Sequence, residues 1–254
     1  MTGATAGVPG TDGRPGLDGR TVVVIGGSSG IGRETARQVR ADGGQVVLVG
    51  RDPERLRQAA EELDAVSTAA FDAADSDCVA RFFHDLPGPV DHVMVTAGSP
   101  SYAPLAELDL DAARREFGDR LAITLGIALH SRDKVRPGGT LVFIGGTGGR
   151  RPGVGLAVVS AMTAALPALV ANLALELAPI RVNLIAAGFV DTPLSASLLG
   201  DQLEARREDL RSRLPIGRVV GPADVAALAV HIMRNDALTG ATYDIDGGQQ
   251  LLAH

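Results

Sequence analysis

The stretch "VVVIGGSSGIGRETARQV" at 22–39 constrains the fold more than any other part of the chain. A β-branched run ends in a turn of small residues, and a helical pattern begins directly behind it. Glycines let a backbone turn tightly and approach an anion closely. The helix that follows aims free N–H groups and the positive end of its dipole at the same point. Strand, glycine turn and helix in this order specify a phosphate-binding turn. Gly26, Ser28, Ser29, Gly30, Ile31 and Gly32 are then the residues that meet a dinucleotide's phosphates.

The rest of the chain keeps this rhythm. Residues 21–26, 45–50, 91–97, 140–145, 181–186 and 241–246 read as strands, with 66–71 a weaker one. Their near-continuous apolar character suits a parallel sheet covered on both faces. Helical patterns fill 30–42, 53–64, 75–86, 108–132, 154–178 and 222–235. The last opens with Pro222 and Asp224, a helix start signal. The expected fold class is α/β, a single doubly wound parallel sheet with helices on both faces. The 254 residues suffice for one such domain, spanning 20–254. The charged, helical segment 194–217 is expected to form a lid over the ligand crevice. Residues 1–19 contain no apolar run and read as a flexible leader.

Composition removes several functions. A net charge of −6 leaves no basic patch for nucleic acid. Cys78 is the lone cysteine, which excludes an internal disulfide and a Cys-based zinc site. His84, His92, His130, His231 and His254 share no metal-ligand spacing and read as helix-end or surface residues, so no metal is expected. Residues 152–175 carry no charge. Pro167, Asn172 and the strand–helix–strand context favour a helix packed between the sheet and a neighbouring subunit over a membrane span. A cytoplasmic homo-dimer or homo-tetramer is the expectation.

"GGSSGIG" at 26–32 is similar to the glycine motif of the short-chain dehydrogenase/reductase superfamily, whose fold is Rossmann-like. Further stretches resemble that family in the same order: "VTAG" at 95–98, "PIRVNLIAAGFVDTPL" at 179–194 and "YDIDGGQ" at 243–249. The resemblance implies that Ala97, Gly98, Val190 and Thr192 surround the nicotinamide and that Asp72 and Ala73 meet the adenine. A helix N-cap is the alternative use of Asp72. NAD-preferring members carry an acid at the end of the second strand. Here Gly50 holds that place and Arg51 follows it. A guanidinium attracts a 2′-phosphate, so NADP(H) is favoured over NAD(H). An ordinary exposed arginine is the plainer reading of Arg51, and Asp52 beside it could still reach the ribose.

The family's reaction implies a Tyr that donates the proton, a Lys one helical turn later, a Ser on the substrate oxygen and an Asn in the relay. These positions map to Val159, Thr163, Gly146 and Arg120, and all four depart from the pattern. No pair elsewhere replaces them. Tyr102 and Tyr243 have no Lys one turn on, and Lys134 is the sole lysine. The candidate substitutes are Arg120, which brings a cation, and Thr147, which brings a hydroxyl although strand alternation turns neighbours to opposite faces. Ser160 adjoins Val159 but is rotated about 100° on a helix. Thr163 retains a short hydroxyl that could bond a ribose. Tyr102 either lines the crevice or covers a loop, and Arg150 and Arg151 either meet an acidic substrate or are solvated. The sequence favours a redox enzyme with an altered site, acting on a small-molecule substrate that needs no phenolic acid. An inactive NADP(H)-binding pseudoenzyme or structural subunit, and a non-redox cyclase, isomerase or lyase, are the alternatives. Ordinary ketone or alcohol activity is not expected.

Overall fold

The computed structural model describes residues 16–252. Seven parallel strands form one sheet: β1 (Thr21–Ile25), β2 (Gln45–Gly50), β3 (Ser67–Ala70), β4 (Val90–Val95), β5 (Val135–Gly146), β6 (Arg181–Ala187) and β7 (Thr242–Ile245). Their spatial order is β3-β2-β1-β4-β5-β6-β7. The chain enters at the middle, winds outward to β3, and returns beside β1 as β4. The direction of winding therefore reverses between β1 and β4. In sheets of this kind ligands bind at that reversal, beyond the carboxyl ends of the strands.

Strand alternation sorts the core into two layers. Val23, Ile25, Val93, Val95, Leu141 and Phe143 share one buried cluster. It is covered by α3 (Ser76–Asp85), α4 (Leu110–Ser131) and α5 (Ala157–Glu176). Val22, Val24, Val46, Leu48, Met94 and Val142 face the other way. They lie under α1 (Gly30–Ala41), α2 (Pro53–Leu63) and α8 (Pro222–Arg234). Burying each such aliphatic side chain stabilises the fold by about 1.5–3 kcal/mol, which explains why the strands read as unbroken apolar runs. The segment after β6 forms two further helices, α6 (Pro193–Leu199) and α7 (Leu203–Arg213).

The first fifteen residues of the expected leader lie outside the described part, as does His254. The packed domain nevertheless starts earlier than residue 20. Leu17 is 2 % exposed within the α1–α2 layer, and its N–H donates to Asp42 Oδ2 at 3.0 Å. A single apolar residue among glycines gives no periodic signal there.

The uncharged segment becomes α5, a helix long and apolar enough to cross a membrane by length and composition. In this fold Val159, Met162, Leu166, Val170 and Leu173 pack inward. Its other side, with Ala161, Ala164, Ala168 and Leu175, is exposed.

The histidines divide. His84, His130 and His231 lie in the last turns of α3, α4 and α8, as expected. His92 does not. It sits within β4, 5 % exposed, and its Nδ1 has no hydrogen-bond partner among the described residues. Desolvation, then the nearby Arg181 charge, push its pKa down to about 4. The surface expectation for His92 is thus corrected: a fully buried strand shows no alternation that would mark one polar residue as enclosed. Arg181, at the start of β6, is also buried. It donates to the carbonyl oxygens of Ile232, Met233 and Leu238 at 2.9–3.0 Å, closing the C-terminal end of α8.

Candidate active site

The glycine turn lies where the winding reverses. Gly26 has φ +91° and Gly30 φ +53°, backbone that L side chains rarely adopt. A Cβ on Gly32 would stand 2.2 Å from the Gly26 carbonyl oxygen, so α1 can approach the turn only through glycine. Thr96, just beyond β4, holds the turn from the neighbouring strand. Its N–H donates to Ile25 O at 2.8 Å, and its hydroxyl lies 3.1 and 3.2 Å from the carbonyl oxygens of Ile25 and Gly26. In sequence Thr96 stands out only as a departure from a family pattern; this tie appears once β1 and β4 are neighbours. From the other wall, Thr192 lies 3.6 Å from where a Gly30 Cβ would be. Thr192 also caps α6, accepting from Ser195 N at 3.2 Å. Val190 is buried and bridges to Val220.

The β2 end is built around a missing side chain. A Cβ on Gly50 would come within 3.0 Å of Ser28 Oγ. Arg51 projects outward with its side chain 77 % exposed, 4.0 Å from the Asp72 carboxylate. Asp72 accepts from Ala74 N at 3.0 Å within its own turn. The cap of α3 is Asp75, which accepts from Cys78 N at 2.9 Å, so the N-cap alternative for Asp72 is corrected. Ala73 is buried. Asp52 is the N-cap of α2, accepting from the N–H groups of Glu54 and Arg55 at 3.1 Å.

The opposite wall contains hydroxyls, but most are already engaged. Thr163 turns its hydroxyl back along α5, to Val159 O at 2.9 Å and Ser160 O at 3.1 Å. Ser160 donates to Gly148 O at 3.0 Å. Val159 is buried, and a Cβ on Gly146 would meet the Thr163 methyl at 3.2 Å. Thr163 is thus left with acceptor capacity only. Thr147, 5 % exposed, donates its N–H to Ala187 O at 3.0 Å, and among the described residues its hydroxyl makes no hydrogen bond.

Arg120 is not on the surface. Its Nη1 donates to Ala97 O at 3.1 Å, and its guanidinium carbon and both terminal nitrogens lie 2.9 Å from where a Gly98 Cβ would be. Burial is the main influence on it and holds its pKa below the ordinary arginine value; Glu116 acts in the opposite sense. Tyr102, on the following loop, is half exposed, and desolvation followed by Glu116 raises its pKa. Lys134 is far from this chemistry in role: its Nζ donates to His84 O and Leu86 O at 3.0 Å.

Arg150 is a half-exposed loop charge, as expected, and Arg151 is partly buried; both are engaged within the chain. Arg150 pairs with Asp244, Nη1 to Oδ2 at 2.8 Å, and Arg151 donates to Gln249 O at 2.6 Å. They fasten the loop after β5 to the C-terminal segment. That segment also holds the loop after β6, through Phe189 N to Gln249 Oε1 at 2.9 Å. Among the described residues no group of acids, histidines and cysteine is arranged to hold a metal.

Residues 25–250 match the family model described as Enoyl-(Acyl carrier protein) reductase. The chain is 29 % identical to the short-chain dehydrogenase/reductase ATR9 of Stachybotrys chlorohalonatus, over 92 % of this chain and 98 % of that one. Among solved structures it is similar to the MalC reductase/Diels-Alderase of Malbranchea aurantiaca, with a TM-score of 0.85, 25 % identity, and coverage of 93 % and 98 %. It is also similar to BdcA in complex with NADPH, with a TM-score of 0.83, 28 % identity, and coverage of 94 % and 97 %.

Proposed function

This chain belongs to the short-chain dehydrogenase/reductase superfamily of oxidoreductases, and on that footing we propose that it is an NADP(H)-dependent reductase with a non-standard active site. The observation that carries the reading is the pairing of an intact glycine cradle with a half-buried guanidinium where the family's proton relay should be. The cradle fits a dinucleotide because Gly26, Gly30 and Gly32 leave room where any Cβ would strain or intrude. Gly26 and Ser28 through Gly32 would hold the pyrophosphate and Arg51 the 2′-phosphate. Asp72 and Ala73 would meet the adenine, and Ala97, Gly98, Val190 and Thr192 the nicotinamide. When bound, the cofactor supplies a hydride. NADPH in the BdcA relative supports the phosphate-bearing form.

The remaining chemistry belongs to the chain. Val159 and Gly146 offer no proton donor, and Thr163 gives its proton to its own helix. Arg120 remains charged at any working pH and cannot act as the acid, but it can neutralise negative charge on an oxygen. Thr147 retains a hydroxyl to donate. The substrate is then a small molecule whose reduction needs no phenolic acid: an iminium ion, a charged heterocycle or an activated alkene. The segment 194–217, as α6 and α7, serves as the lid. Asp191, beside Thr192, pairs with Arg207 of α7 at 2.7 Å and sets where that lid rests. The exposed sides of α4 and α5 flank a groove of about 580 Å³ lined by Phe117, Val158 and Ala161, and supply the face for a cytoplasmic homo-dimer or homo-tetramer.

The test is fluorescence titration with NADPH and NADH, followed by cofactor consumption against ketones, enones and imines. Binding of NADPH with turnover of enones or imines, and none of simple ketones, is the expected result. Robust ketone reduction would end the altered-site reading. Product without cofactor consumption would favour a non-redox enzyme, the second reading that the Diels-Alderase activity named for MalC makes concrete.

A further inference from the structure

Arg120 combines three features that do not usually persist together. Its guanidinium is partly withdrawn from water against Ala97 and Gly98. It stands at the end of β4, next to the glycine turn at the end of β1. And among the described residues it has no ion-pair partner. The one acid that influences it, Glu116, lies one helical turn earlier on α4. That carboxylate is otherwise engaged: Oε1 accepts from Ser101 N at 3.0 Å and Oε2 accepts the Ser101 hydroxyl. A partly desolvated cation with a single carbonyl partner is unfavourable in the unliganded protein. A ligand that brings negative charge removes that penalty, and one that brings positive charge adds to it.

We infer that Arg120 forms a subsite for an anionic oxygen, so that the ligand of this crevice is an organic molecule carrying a carboxylate or a conjugated carbonyl whose oxygen becomes negative during reduction. This deepens the proposed function and rests on it. Of the three substrate classes that need no phenolic acid, iminium ions and charged heterocycles bring a like charge against the guanidinium and are excluded. Only the activated alkene is retained, with its carbonyl oxygen toward Arg120: a hydride would add to the β-carbon, the C=C electron pair would move onto that oxygen as an enolate, and the α-carbon would then take a proton from water. The neighbouring groups agree in sign. Val159 and Gly146 add no charge, Thr163 and Ser160 donate elsewhere, and the Thr147 hydroxyl makes no hydrogen bond among the described residues. Glu116 acts as a positioning residue, holding Ser101 while leaving the guanidinium unneutralised.

The probe is 4-nitrophenol, whose phenolate imitates an enolate oxygen and absorbs separately from the neutral form. At a pH near its own pKa, full-length protein saturated with NADP⁺ should raise the phenolate fraction, shifting the bound pKa down by about one unit, a tenfold preference for the anion. N-methylpyridinium, a cation of similar size, should bind at least tenfold more weakly. Arg120→Met should abolish the anion preference, Arg120→Lys should keep part of it, and both should bind NADPH within about threefold of the parent. Equal binding of anion and cation by the unaltered protein overturns the inference without any variant. So does an anion preference that survives Arg120→Met, or a variant that loses NADPH affinity but keeps the phenolate shift. If NADPH does not bind the unaltered protein, the cofactor reading fails, and the phenolate titration without nucleotide still decides the subsite.

Discussion

At the end of β1 the chain is reduced to backbone. Gly26, Gly30 and Gly32 leave no side chain in the turn, and Thr96 and Thr192 close in from two sides. At the ends of β4 and β5 the side chains are present, but their donors are directed into the protein. The Thr163 and Ser160 hydroxyls bond backbone carbonyls, and Val159 is aliphatic. On the proposed reading, one wall keeps what a dinucleotide's phosphates require, while the other lacks the family's relay groups and presents a guanidinium and the Thr147 hydroxyl. On that reading, binding a cofactor and using it are separable properties of this fold. The first depends on close backbone approach, which tolerates no substitution at Gly32. The second depends on a few side chains that can be exchanged without disturbing the sheet.

The strongest way to break the contrast is to rebuild the second wall. The combination Arg120→Asn, Gly146→Ser, Val159→Tyr and Thr163→Lys restores the family's pattern. Reduction of a simple ketone by this variant, followed as NADPH loss, should exceed the parent's by about 100-fold, the lower range for a positioned general acid. No gain in a variant with unchanged circular dichroism would show that the crevice, and not the missing groups, limits activity.

Acid should act away from both walls. His92 lies within β4, about five residues or ~16 Å along the strand from Ala97. Its pKa is about 4 in the fold, against 6.5 for an unperturbed histidine, so the unfolded chain binds the extra proton first as the pH falls. Stability conferred by neutral His92 is therefore present above pH 6.5 and is lost as the pH falls toward 4. The loss should approach roughly 3 kcal/mol, read as the shift in urea unfolding between pH 7 and pH 4. His92→Leu should flatten that dependence. An unchanged slope would mean that other groups control the acid limb.

Gly32→Ala tests the first wall. Its Cβ would meet the Gly26 oxygen at 2.2 Å, and NADPH should bind about 100-fold more weakly, with helical content retained. Binding within threefold would place the cofactor elsewhere. The smallest effect is expected at Arg51, whose side chain is mostly solvated. Arg51→Glu should move the NADPH-to-NADH affinity ratio by about tenfold, since a solvent-exposed charge pair is weakened by screening. No movement would assign phosphate recognition to another residue.

The strand–turn–helix order, the seven strands and the glycine turn were legible in the chain, whereas the relay positions rest on the family resemblance. Apolar runs and glycine spacing are local signals, and a missing residue type is missing in any fold. The places where the chain misleads share one cause. His92 and Leu17 are polar or isolated in sequence yet enclosed by distant elements. Arg150 and Arg151 look like loop charges until β7 and the C-terminal segment bring Asp244 and the Gln249 carbonyl beside them. Asp72 could serve as a helix cap on paper, but the backbone path gives that place to Asp75.

By itself, the sequence determined that the chain forms a doubly wound α/β sheet with a glycine turn between its first strand and helix, because periodicity and residue identity settle both. Whether Arg120 would end in water or against Gly98 could not be known from its place on a helix. That was decided by the crossing from β4 to β5, which runs through α4 and leaves the Arg120 guanidinium partly desolvated and without a counter-ion among the described residues.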